Sequence, residues 1–83
     1  MNVTIDWDAD NDPRGNVELL RQIGVTKEDV EQAVEHGAVD PDVSNMSGWP
    51  VLFGAAEDGR PMTVMFRWED ASTIFVIGVE IGE

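Results

Sequence analysis

Val3, Ile5 and Trp7 alternate with Asn2, Thr4 and Asp6. That period of two is the mark of a strand with one buried face and predicts a first strand over about residues 2–7. A polar run from Asp8 to Gly15 follows, and then Val17, Leu20 and Ile23, with Leu19 beside them, recur at helical spacing as far as Gly24. This predicts a short first helix. The strongest local signals surround Val25. Thr26 is a good N-cap, Asp29 three residues later completes an acidic variant of the capping box, and Val25 and Val30 stand at the two positions of a hydrophobic staple. Val30, Ala33 and Val34 supply the buried stripe, His36 falls in the last turn, and Gly37 is the expected C′ residue. A second helix is therefore expected from Lys27 to His36.

From Ala38 to Trp49 the pattern lapses into Asp-Pro, Ser-Asn and Ser-Gly pairs, which read as a loop. Beyond Pro50 the composition turns to strands, over residues 51–56, 62–69 and 73–81. Two hairpin-type turns separate them, Glu57 to Arg60 and Asp70 to Ser72. In the middle run Met62, Val64, Phe66 and Trp68 share one face, while Thr63, Met65 and Arg67 share the other. The last run is apolar on both faces, with Ile74 and Val76 on one and Phe75, Ile77, Val79 and Ile81 on the other. Such a strand belongs at a sheet centre or in a subunit contact, so a homodimer is expected. The order is β-α-α-β-β-β, an α+β fold in which an antiparallel sheet packs against two N-terminal helices. Residues 1–83 read as one domain, near the size where a single core only just outweighs the lost chain entropy.

Composition narrows the chemistry. There is no cysteine, which excludes disulfides, thiol nucleophiles and cysteine-based zinc sites. Seventeen acidic residues against five basic ones give a net charge of -12. That charge repels phosphate backbones and anionic lipids, and suits either solubility or a basic partner. No run approaches the roughly 20 apolar residues of a membrane span, and the start lacks a signal-peptide pattern, so a cytoplasmic location away from the membrane is expected. Asp6, Asp8, Asp10 and Asp12 alternate like the opening of a calcium loop. Counting from Asp6 puts Asn11 and Val17 where that loop needs glycine and glutamate, and counting from Asp8 puts Pro13 and Leu19 there. A solvated turn is the better reading, with no metal and no cofactor. His36, the only histidine, complements the helix dipole and has no nucleophile elbow beside it. No glycine pattern cradles a phosphate.

The five basic residues are Arg14, Arg21, Lys27, Arg60 and Arg67. Arg60 and Arg67 flank the middle strand. They either make a small positive spot on one face or pair with acids such as Asp58 and Glu69. Trp49, between a polar loop and Pro50, is either core or an anchor for a partner.

Several of these residues together resemble a known family. Trp7-Asp8, Asn16-Val17-Glu18, Gly24-Val25-Thr26-Lys27-Glu28-Asp29-Val30-Glu31, Phe53-Gly54, Asp58-Gly59-Arg60, Val64 with Phe66, and the closing strand resemble the BrnT-type bacterial toxins over about residues 5–81. The resemblance implies a RelE-like fold, ribonuclease activity, neutralisation by a DNA-binding antitoxin, and RNA contacts from basic side chains on the sheet. The only residues that carry over to that role are Arg60 and Arg67. Ile23 stands where similar sequences have a histidine, the last strand is not followed by the usual basic helix, and the charge is acidic where the toxins are basic. Two readings follow. One is a toxin-like relative, active on RNA or degenerate, held by an antitoxin. The other is a non-catalytic acidic interaction module that binds a basic protein or itself.

Overall fold

The computed structural model describes residues 2–44 and 49–82. Its elements are β1 (Thr4–Asp6), α1 (Asn16–Gln22), α2 (Lys27–His36), β2 (Ala38–Ser44), β3 (Pro50–Ala55), β4 (Pro61–Asp70) and β5 (Thr73–Ile81). The five strands form one sheet in the order β1-β5-β4-β3-β2. β2 to β5 form an antiparallel meander, and β1 returns to run parallel to β5, so the sheet is mixed. The fold is α+β, with both helices ahead of the meander.

The second helix spans the residues its signals marked. The Thr26 hydroxyl accepts from the Asp29 amide and the Asp29 carboxylate accepts from the Thr26 amide, both at 3.1 Å. Asp29 also accepts from the Glu57 amide at 3.0 Å, which ties the start of α2 to the β3–β4 turn. These backbone amides, Thr26's foremost, outweigh desolvation and hold the Asp29 carboxyl below its ordinary range. α1 ends in a Schellman turn. Gly24, at φ 73°, donates to the Arg21 carbonyl, and Val25 donates to that of Leu20, with Leu20 and Val25 both in the core.

Three expectations need correction. Residues 38–44 of the expected loop form β2 instead, while residues 45–48 lie outside the described residues. Pro41 lies on the outer strand of the sheet, in the stretch between Val39 and Ser44 where the register to β3 shifts. Gly37 does not adopt the left-handed C′ conformation. It is extended at φ -84° and leads straight into β2. A side chain there would meet the Ala33 and Phe53 carbonyls, at 2.3 and 2.6 Å from its Cβ. Gly54 is needed for the same reason, since its Cβ would lie 2.6 Å from the Ala33 carbonyl. Both glycines let the backbone of α2 approach β3.

The core lies between α2, α1 and one face of the sheet. It holds Leu20, Val25, Val30, Ala33, Val34, Leu52, Met62, Val64, Phe66, Ile74 and Val76, joined by partly buried Val79 and Ile81. The membership of those last two corrects the two-faced reading of β5. Met65 pairs with Gly78 while Phe66 pairs with Val76, which leaves Ile77 as a bulge. The extra residue reverses the alternation, so Val79 and Ile81 fall on the same face as Ile74 and Val76. β5 therefore buries one apolar face along its whole length.

Candidate functional site

With the core against one face of the sheet, the opposite face carries whatever alternation turns away from it. β4 contributes Thr63, Met65 and Arg67, β3 contributes Val51 and Phe53, and β5 contributes Phe75, Gly78 and Glu80. These align in cross-strand rows: Glu80 with Thr63 and Phe53, Gly78 with Met65 and Val51, and Phe75 with Arg67. The middle of this open face is apolar. Val51 is only 4% exposed although it stands outside the main core, whereas Phe53 is 45% exposed. A shallow groove of about 270 Å³ runs over Val51, Thr63, Met65 and Gly78, bounded by Leu19 and Glu80.

Arg67 rises at one end of this face, with its guanidinium 4.5 Å from the centre of the Phe75 ring. Asp6 of β1 pairs across from the same Phe75. Asp6 also shares a hydrogen bond with Glu69, and this sharing, above partial desolvation, raises the Glu69 carboxyl above its ordinary value. The end of the face is thus one cation among carboxylates from two strands.

Arg60 is elsewhere. It sits in the tight turn closed by the Ala56 amide and the Arg60 carbonyl, and the Asp58 carboxylate accepts both its backbone N–H, at 3.1 Å, and its Nε, at 2.6 Å. Seven residues separate Arg60 from Arg67, and at about 3.3 Å per strand residue they stand roughly 23 Å apart. Of the two alternatives for these arginines the shared positive spot is not formed, since they are not brought together. Each instead has acidic neighbours, Asp58 for one and Glu69 for the other. Trp49, 38% exposed, lies just ahead of β3 and outside the core cluster. Trp68 is more exposed still at 48%, and it meets Phe66 edge to face beyond the end of the core.

The alternating aspartates separate into structural tasks. Asp8 and Asn16 form a reciprocal clasp in which each backbone N–H donates to the other's side chain at 2.9 Å. Asn16 Nδ2 also donates to the Asp6 carbonyl at 3.1 Å, so the clasp fastens the end of β1 to the start of α1. Asp12 accepts from the Arg14 amide, and Asp10 pairs with Lys27 at 2.7 Å. Among the described residues no three metal-ligating side chains converge. His36 is exposed at the end of α2 with Glu35 4.0 Å away. What sequence reasoning missed is the Asp6–Glu69 pair and the apolar middle of the open face. The apolar residues Val51 and Phe53 on alternate positions of one strand, with Met65 and Phe75 on the next two, were the available signal, but only the sheet register shows that they adjoin.

No protein-family model matches the chain, and comparison with curated proteins and with solved structures finds no significant match. Among the described residues, no helix is long and apolar enough to cross a membrane.

Proposed function

We infer that this domain is a non-catalytic interaction module that docks a basic protein partner on the open face of its sheet. The observation that carries the reading is the make-up of that face: exposed Phe53 with half-buried Met65 and Phe75, Glu80 at one side and Asp6 and Glu69 at the end. Apolar area supplies affinity and the surrounding carboxylates select positive charge. A phosphodiester substrate would meet the opposite arrangement, because its transition state needs converging cations. A second copy of the chain would bring another -12 of net charge to the same place, so a basic partner suits the face better than self-association does.

The test is fluorescence anisotropy of a labelled synthetic peptide of alternating lysine and leucine, titrated with the protein. Phe53→Ser with Met65→Ser keeps every charge and removes only apolar area, and it should weaken binding by about tenfold. Equal binding by parent and variant would reduce the interaction to unspecific charge attraction and overturn the reading. One observation favours a second reading: Arg67 stands exposed on the same face, as a ribonuclease of the BrnT type would require. Cleavage of single-stranded RNA by the parent, lost in Arg67→Ala, would establish that reading instead.

A further inference from the structure

β1 is the outer strand on its side of the sheet, and among the described residues no strand pairs with its far edge. The Thr4 amide donates inward to the Ser72 carbonyl at 2.8 Å. By strand alternation, the N–H and C=O of Ile5 therefore point away from the sheet. Beside this edge a groove of about 490 Å³ lies between β1 and α2, lined by Val3, Ile5, Trp7 and Val34 and edged by Glu31 and Glu35. Apart from its ion-paired Lys27 and from His36, next to Glu35, α2 presents acids to this side. On the other side of β1, Asp6 and Glu69 face outward. A strand added to β1 would set alternate side chains over two acidic, partly apolar surfaces at once.

We propose that an extended segment of the basic partner adds to β1 as a sixth strand, with its lysine or arginine side chains reaching Glu31 and Glu35 across the groove. This rests on the reading of the domain as a binder of basic protein and names how that protein is held. Main-chain pairing with the Ile5 amide and carbonyl supplies register-fixed affinity, and the apolar floor takes the intervening side chains. The opposing charge on both sides of the edge is what selects a basic strand over a neutral one.

The test uses the same lysine–leucine peptide and a twin that is N-methylated at every residue, which keeps charge and side chains but leaves no backbone N–H to pair on either edge. The parent should bind the twin at least tenfold more weakly. Hydrogen exchange of the Ile5 amide should slow on binding the unmethylated peptide, and Glu31→Gln with Glu35→Gln should weaken binding about three- to tenfold. Equal affinity for the twin, or an Ile5 amide whose exchange is unchanged by a bound peptide, overturns strand addition. If in that case Phe53→Ser with Met65→Ser still weakens binding, the open-face reading survives without it. If neither peptide binds the parent at all, both fall together.

Discussion

The two faces of the one sheet are built from the same strands and differ in what covers them. On the helix side Leu52, Val64, Phe66, Ile74 and Val76 are closed under α1 and α2, and the glycines at 37 and 54 let α2 come within backbone contact. On the other side Phe53 and Phe75 stand at equivalent strand positions outside that core, and Met65 lines a shallow groove that Leu19 of α1 bounds. The contrast separates residues that make the domain fold from residues that are free to do something else. In a domain of 83 residues, stability of only about 5–15 kcal/mol leaves little to spare for apolar residues that serve neither purpose.

The sharpest way to break this contrast is a pair of matched truncations. Phe66→Ala, fully buried, should cost about 3–5 kcal/mol in urea unfolding, while Phe53→Ala, 45% exposed, should cost less than about 1 kcal/mol. Equal losses would mean that the open face is as structural as the core. Next in size is Gly54→Ala, which should destabilise by about 1–3 kcal/mol, because the added methyl meets the Ala33 carbonyl and Cα rather than a side chain that can move. An unchanged midpoint would deny the close approach of α2.

Smaller effects follow from the carboxylates. Thr26→Ala should cost about 1 kcal/mol through loss of the capping box, read from the same denaturation curves. The partner in that box, Asp29, has its pKa lowered in the folded chain, so its charge stabilises the fold above the unfolded carboxylate pKa. That contribution disappears as pH falls through the depressed folded value. Asp29→Asn should therefore lower stability at neutral pH and flatten the loss seen on acidification. Glu69 has the opposite sign. Its folded pKa is raised by sharing a hydrogen bond with Asp6, so its favourable contribution exists below the unfolded pKa and is lost as pH rises through the folded one. Glu69→Gln should raise stability slightly at neutral pH and remove that part of the pH dependence. A fall at neutral pH would contradict the crowding of the two carboxylates.

Local chemistry made most of the fold legible. The capping box and staple around Thr26 fixed α2 to the residue, and the alternation of Met62, Val64 and Phe66 assigned the core face of β4 correctly. What pattern alone missed was set by partners distant in sequence. β2 exists because β3 offers it an edge, despite Pro41, and the β5 bulge at Ile77 is visible only against the register of β4. The candidate site was less legible for the same reason. Arg60 and Arg67 are near in sequence, but one lies in the turn before β4 and the other near that strand's far end, while Asp6 of β1 and Glu69 of β4 are far apart in sequence and meet across β5.

The most direct measurement of the central claim is a backbone amide shift map of the folded chain titrated separately with the lysine–leucine peptide and with single-stranded RNA. The peptide should shift amides along β3 and β4 around Phe53 and Met65, with the shifts shrinking as salt is raised, and RNA should shift none. Shifts from RNA clustered on Arg67, or peptide shifts scattered over the acidic surface without regard to the open face, would contradict that claim.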